Sequence, residues 1–234
     1  MDWDQVRTRL EPATGDVAMT APAVTVALVA AVLVVAVPAV WQVMRLVVTL
    51  VHELGHALVG LAVGRRFTGF VLRGDMSGHA VTVGPPRGAG RVLTTWAGYP
   101  APAVVGAGLV WTAGRGWGAP VLTVVIVILL VALVRVRSLL TAVVMLVALG
   151  ATAALWWWRD DAVQAQALVG AGIVLLVGAW RHLGAVLRTR DRSSDPGVLA
   201  SLTHVPRAVW NASFVLVCAA ASVLAACAVA RAWQ

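Results

Sequence analysis

Charged residues are scarce in this sequence. They make up 12% of its 234 residues, while 60% are hydrophobic and the mean hydropathy is +0.88. Soluble domains carry about 25% charged residues, so this composition excludes an ordinary soluble fold. It predicts an all-α polytopic membrane protein in which residues 1–234 form a single domain embedded in a lipid bilayer.

Lysine is absent. All 18 basic residues are arginines, and with 10 acidic residues they give a net charge of +8. Such an excess also occurs in nucleic-acid-binding proteins. These arginines, however, lie in short gaps between apolar runs, which is typical of the positive-inside bias of membrane proteins. We therefore expect no nucleic-acid partner.

Cysteine is nearly absent as well. Cys218 and Cys227 are the only two, and nine residues at ~100° each place them on opposite faces of a helix. This spacing argues against a disulfide between them and against a cysteine metal site. The first twenty residues mix charges and lack the pattern of a cleavable signal peptide, so we expect none.

Long apolar runs account for most of the chain. A membrane-spanning helix needs about 20 apolar residues. The run from Met19 to Gly64 is far too long for one helix, and Pro38 is its expected turning point. The whole pattern predicts about seven transmembrane helices, at roughly 19–37, 41–64, 91–113, 118–134, 138–157, 163–182 and 207–231.

The distribution of arginine predicts the sidedness of these spans. With seven spans, the N-terminal segment 1–18 and the connections after the second, fourth and sixth spans share one side. Fourteen of the 18 arginines fall on that side. Because arginine-rich connections stay in the cytoplasm, we expect the N-terminus to be cytoplasmic and the C-terminus to lie outside.

Two connections are longer than turns. Residues 65–86 contain two β-prone stretches around "RGDMSG" and end in Pro85 and Pro86. They predict a small β-hairpin directly after the second span. A polar loop, 183–206, precedes the last span.

The second span contains the sequence "HELGH", with His52, Glu53 and His56. On a helix this spacing puts two imidazoles on one face, where they can hold one Zn²⁺, and Glu53 can act as general base on an activated water. The alternative is a pair of hydrogen-bonded histidines inside a helix bundle. The chain has only two glutamates and five histidines, and their grouping in its most apolar region favours the metal site.

Gly55, inside this motif, lowers helix propensity by about 1 kcal/mol relative to alanine. Either a neighbouring backbone approaching closely or a helix crossing that requires a small residue would explain its presence.

Three stretches carry a resemblance to a known family: "VHELGHALVGLAVGRR" followed by the hairpin, "AGYPAPAVVGA" (97–107), and "SSDPGVLASLTHVPRAVW" (193–210). Together they cover most of the chain from residue 45 onward. The layout resembles the site-2 protease-like intramembrane zinc metalloproteases, and most closely their bacterial peptidase M50B-like branch. The resemblance implies an integral protein of a bacterial-type cell membrane that uses Zn²⁺ to hydrolyse peptide bonds.

The family also implies a third metal ligand, an aspartate from a distant segment. Asp195 matches it, although it stands in "SSDPG" rather than in the commoner Leu-Asp-Gly. An aspartate before proline is also typical of a helix N-cap. Asp75, His79 and His204 are alternative ligands. Asp160 and Asp161 are expected at a solvated span end on the opposite side.

Amide hydrolysis also needs a hydrogen-bond donor for the developing oxyanion. Tyr99 and Asn211 are the candidates. An interfacial anchor for Tyr99 and an interhelical hydrogen bond for Asn211 are the simpler alternatives.

These observations lead to one functional expectation, with one alternative. The protein is expected to be a metalloendopeptidase that cleaves a membrane protein or peptide, either embedded in the bilayer or close to it. A helical substrate must unwind before cleavage, and the hairpin edge can pair with the extended segment. The alternative is a metal-binding but catalytically inactive membrane scaffold that recruits partners.

Overall fold

A computed structural model describes residues 3–13, 20–75 and 77–232. Within these ranges the chain is mostly helical. The helices are α1 (Trp3–Thr8), α2 (Ala21–Ala36), α3 (Pro38–Ala62), α4 (Ala89–Trp96), α5 (Pro100–Ala113), α6 (Gly118–Leu133), α7 (Leu139–Trp157), α8 (Asp161–Arg188), α9 (Asp195–Thr203) and α10 (Arg207–Ala232), and the strands are β1 (Arg66–Leu72) and β2 (Gly78–Val83).

Each predicted apolar run forms helix in the structure, although Met19, the first residue of the first run, lies outside the described residues. Four helices are long and apolar enough to cross a membrane, namely α3, α7, α8 and α10. Three more apolar helices, α2, α5 and α6, have 14 to 16 residues. The structure thus contains seven apolar helices at the predicted places, while seven membrane crossings stay a prediction.

The third predicted span is broken. It consists of α4 and α5, separated by a turn at residues 97–99. The break falls directly before Pro100, the first residue of α5, where the missing N–H costs no helical hydrogen bond. Pro100 therefore follows a turn that ends one helix and starts the next.

The bundle core joins α5, α8 and α10. Gly106 of α5 and Gly172 of α8 lie backbone to backbone, since a Cβ on Gly106 would stand 2.6 Å from the Gly172 carbonyl oxygen. Small residues allow this close approach. Around the contact lie Ala103, Ala107, Val110, Leu176, Ala179, Phe214 and Cys218, all buried.

The predicted hairpin is confirmed. β1 and β2 pair antiparallel from Leu72 opposite Gly78 to Arg66 opposite Val83. The other edge of β1 is bridged by the connection between α6 and α7, where Phe70 pairs with Val136. No strand pairs with the other edge of β2 in the part of the chain that the structure describes.

Apolar packing holds the hairpin in place. Phe70 and Leu72, both 1% exposed, pack with Leu46 and Leu50 of α3 and with α6 and α7 residues. The backbone N–H of Leu72 also donates to Thr141 Oγ1 at 2.8 Å. One face of α3 is therefore tied to the hairpin along two turns of helix.

The N-terminal segment lies at the opposite end of the bundle. This end, called here the tryptophan end, is formed by the connections 114–117 and 158–160 and the adjoining helix termini. Ala13 N donates to Gly116 O at 2.9 Å, and Arg159 Nη1 donates to Glu11 O at 3.2 Å. The hairpin and residues 135–137 form the other end, called the hairpin end.

α2 leads from the tryptophan end towards the hairpin end, alongside α8 and in the same direction. Val24 packs with Ala165 and Val169, and Leu28, one turn on, borders a groove together with Ile173. α3 then begins beside Arg181, whose guanidinium stands 4.3 Å over the Trp41 ring. It ends at the hairpin, so α3 does not return to the tryptophan end.

The two ends of the described chain therefore lie at the same end of the bundle. Val229, in the last turns of α10, packs against the same buried cluster as Val24. This arrangement differs from the predicted order, in which the N-terminal segment shares a side with the hairpin, while the orientation of the termini in a membrane stays a prediction. The physical reason is that α3 buries its apolar face against the hairpin instead of running back along α8.

Single cysteines test this arrangement in a Cys218→Ala, Cys227→Ala background. Leu10→Cys and Gly114→Cys are expected to react with a membrane-impermeant maleimide from one side of sealed vesicles, and Asp75→Cys only from the other. The three sites suit the test because Leu10 is 43% exposed, Asp75 is exposed in the hairpin turn and Gly114 has open space around it. Labelling of Leu10→Cys together with Asp75→Cys would instead support the seven-crossing order.

Candidate metal centre

Two histidine side chains meet on one face of α3. His52 and His56 are one helical turn apart, and their Nε2 atoms lie 3.2 Å from each other. Their side chains are only 14% and 12% exposed. Glu53, between them in sequence, is 5% exposed. The HELGH motif thus places both imidazoles on one face of a continuous helix, as predicted.

Gly55 explains how a second element can reach this pair. A Cβ on Gly55 would stand 2.9 Å from the carbonyl oxygen of Ala97 and against the side chain of Ala101. The turn between α4 and α5 therefore lies directly on the surface of α3. A neighbouring backbone in close approach, one of the two explanations for this glycine, is confirmed.

Asp195 joins the histidines from the first turn of α9. Its Oδ2 lies 3.3 Å from Nε2 of His52 and 3.3 Å from Nε2 of His56. The N-cap of α9 is Ser194, and no side-chain hydrogen bond caps the helix. The interpretation of Asp195 as the N-cap is therefore wrong, because its carboxylate is used towards α3 instead.

These three atoms form a nearly equilateral triangle with edges of 3.2, 3.3 and 3.3 Å. In a tetrahedral zinc site with bonds of about 2.0–2.1 Å, neighbouring ligand atoms stand roughly 3.3 Å apart. Asp195 Oδ2 is also buried without a hydrogen-bond partner, which is costly unless a cation compensates. The three residues can hold a metal ion, and the triangle fits zinc.

The carboxyl of Asp195 is ionised at this position. Burial raises its pKa, but the neighbouring His56 and His52 act against burial and hold the pKa below its usual range. An ionised carboxylate is the form in which aspartate coordinates a cation.

A backbone carbonyl orients His56. Its Nδ1 lies 2.7 Å from the carbonyl oxygen of Thr94, near the end of α4. Since a carbonyl can only accept, Nδ1 carries the proton and Nε2 presents its lone pair towards His52 and Asp195. This outer contact is of the kind that fixes the ring of a metal-binding histidine.

Arg207 holds the loop that carries Asp195. Its guanidinium donates to the carbonyl oxygens of Asp191 and Val186, both at 3.0 Å. The Asp191 carboxylate in turn accepts from the backbone N–H of Ser193 at 2.8 Å. These hydrogen bonds join the start of α10 to the end of α8 and to the loop before α9. From the sequence, Arg207 counted only as part of the charge bias.

Gly98 lies directly over the two histidine rings. It was not among the residues predicted from the sequence. A Cβ at this position would stand 2.6 Å from His52 Nε2 and even closer to the ring of His56. The only sequence signal is its place in "AGYPAP", where a glycine precedes the break before Pro100. The space above the two imidazoles exists because this residue has no side chain.

Glu53 faces the hairpin. A Cβ on Gly78, the first residue of β2, would stand 2.6 Å from Glu53 Oε1. The strand thus begins beside the carboxylate that sequence analysis assigned as general base.

Tyr99 lies beside the centre. Its ring packs edge-on against His52, with centroids 4.9 Å apart, and contacts Phe214 at 5.3 Å. Asn211 has a buried Oδ1 without a hydrogen-bond partner in the described part of the chain, and no hydrogen bond or ring contact found there connects it to the centre. The oxyanion roles of both residues stay predictions.

The other predicted ligands lie elsewhere. Asp75 accepts from Ser77 in the hairpin turn, His79 is exposed in β2, and His204 ends α9 in a left-handed conformation with φ 58°. Asp160 caps α8 at the tryptophan end, as expected of a span end. Among the described residues, only His52, His56 and Asp195 form a metal-binding group of three.

Replacement of Gly98 by alanine tests whether this position must lack a side chain. Gly98→Ala is expected to lower zinc binding strongly, because a methyl group would occupy the space beside both imidazole nitrogens. Gly108→Ala is the matched control, since Gly108 lies in the following helix with open space around it. Zinc content per chain is measured by mass spectrometry of the purified proteins. Equal zinc content in Gly98→Ala, Gly108→Ala and the unmodified protein would contradict the geometry.

Comparison with known proteins gives one match. The model of a protein family described as Peptidase M50B-like matches residues 25–227. No curated protein and no solved structure matches the chain. The matched range includes α3, the hairpin and α9, and so all three residues of the candidate metal centre.

Proposed function

The chain belongs to the Peptidase M50B-like family, and on this premise we propose that it is a zinc-dependent intramembrane endopeptidase. Its substrate would be a membrane-embedded or membrane-proximal polypeptide. The observation that carries the proposal is the triangle of His52, His56 and Asp195, whose edges match those of a tetrahedral zinc site.

His52, His56 and Asp195 would hold the metal through two imidazole nitrogens and one carboxylate oxygen. Three protein ligands leave a fourth position open, as catalytic zinc sites require. Zinc bound there supplies Lewis-acid chemistry, because it activates water and polarises the scissile carbonyl. Gly98 keeps the space above the imidazoles clear.

Glu53 carries the proton in this proposal. Its carboxylate lies one residue after His52 on the same helix, is almost fully buried and faces the start of β2. It would accept a proton from the attacking water and pass it to the nitrogen of the leaving amine. Tyr99, beside His52, and Asn211 are the proposed donors to the oxyanion.

β2 offers the substrate an edge to pair with. β1 is bounded on both sides, by β2 and by the bridge from Phe70 to Val136. An unwound substrate segment would add to β2 as an extended strand through backbone hydrogen bonds. Because β2 starts at Gly78 against Glu53, the added strand would run past the general base.

The hairpin end would face the cytoplasm. With the N-terminal segment at the tryptophan end, Arg7 and Arg9 no longer count with the hairpin, but twelve of the 18 arginines still do. The positive-inside bias therefore keeps its direction, and both chain termini would lie outside. Water would reach the centre from the cytoplasm.

The glutamate role is tested with a matched pair of variants. Glu53→Gln is expected to lower cleavage of co-expressed, end-labelled single-span membrane proteins by about 10² to 10⁴-fold, because general base catalysis is lost. Zinc content should stay that of the unmodified protein. Glu11→Gln makes the same change at the only other glutamate, which is paired with Arg7 outside the centre, and should cleave normally.

Three results are informative. Full cleavage by Glu53→Gln would reject the assigned role of this residue. Zinc binding by the unmodified protein without cleavage of any tested substrate would support the inactive scaffold instead. Absence of zinc from the unmodified protein would reject both functions.

Asp195 is tested through the metal itself. Asp195→Asn removes the anionic ligand at nearly constant volume, so the zinc content of the purified protein is expected to fall from about one ion per chain to near zero. Asp160→Asn is the control, since asparagine caps helices as well as aspartate does. Equal zinc content in both variants would show that Asp195 is not a ligand.

A further inference from the structure

The two histidines of the centre are held differently. His56 has its Nδ1 fixed by the Thr94 carbonyl. His52 Nδ1 is buried and has no hydrogen-bond partner in the described part of the chain. Metal-binding histidines almost always donate this second N–H to an oxygen atom. A buried N–H without an acceptor costs about 1–3 kcal/mol, so the missing contact calls for an explanation.

α8 carries a third histidine, His182, near its contact with α3. Val48 of α3 packs against Gly178 of α8, where a Cβ would overlap its side chain. His52 and His182 each lie one turn further along, on the same faces of these two helices. His182 is half-buried, and no hydrogen bond of His182 is found among the described residues.

Arg45 is a second polar residue of α3 without a described partner. It lies seven residues before His52 and so on the same face of α3. Its Nε is buried without a partner among the described residues. A charged residue inside an apolar helix that faces the bundle interior is expected to serve a polar site.

We propose that His182 and Arg45 position His52 by holding one buried water molecule against its Nδ1. The water would accept from Nδ1–H of His52 and from Nε–H of Arg45, and would donate to a ring nitrogen of neutral His182. Three hydrogen bonds are typical of a buried water. The arrangement directs Nε2 of His52 towards Asp195, as the Thr94 carbonyl does for His56. This inference rests on the proposed zinc site and assigns its missing outer contact.

The test measures zinc affinity by chelator competition, together with the melting temperature of the zinc-free protein. His182→Leu is expected to weaken zinc binding by about 10 to 100-fold, the usual effect of losing an outer contact. The zinc-free melting temperature should not fall, because leucine suits an apolar helix. His182→Gln keeps a polar group and should recover most of the affinity. His204→Asn is the control, since asparagine tolerates the left-handed backbone found there.

Arg45→Met provides a second approach. It should weaken zinc binding as well, and the Arg45→Met, His182→Leu double variant should lose less affinity than the two single losses predict, because both residues act through one water. Unchanged affinity in His182→Leu, or equal weakness of the leucine and glutamine variants, overturns the inference. Absence of zinc from the unmodified protein overturns the proposed function together with it.

Discussion

The close approach of three electron-pair donors is the constraint on which this structure depends. Two imidazole nitrogens and one carboxylate oxygen lie within 3.3 Å of one another. They come from helices more than 130 residues apart in sequence. A buried carboxylate is unfavourable by itself, so the surrounding contacts must hold Asp195 in this position. The chain from α8 to α10, clamped by Arg207, supplies that restraint.

Glycine makes room at each side of this centre. Gly55 admits the turn between α4 and α5, Gly98 leaves the space above the imidazoles, and Gly78 brings the hairpin up to Glu53. In each case a methyl group would collide with a backbone atom or a functional side chain. The site therefore depends on positions without side chains as much as on its polar residues. The apolar packing of α3 on Phe70 and Leu72 holds the hairpin against α3.

The local features of the site follow from the sequence. The periodicity and spacing of HELGH place His52 and His56 on one face without tertiary information, and the turn residues at 73–77 predict the hairpin. Asp195 was found through family resemblance, because no local rule links it to α3. The path of α2 was mispredicted, since hydropathy records length but not which neighbour a helix packs against. Gly98 and His182 depend on contacts across the bundle, which a single sequence does not display.

The position of Asp195 late in the chain has a consequence for biosynthesis. The helix with His52, Glu53 and His56 leaves the ribosome long before Asp195, and the loop before Asp195 is clamped only when Arg207 has followed. Since chains are made at about 5–20 residues per second from the N-terminus, a growing chain passes several seconds with an incomplete centre. The candidate metal centre is therefore complete only after the segment through Arg207 has been made.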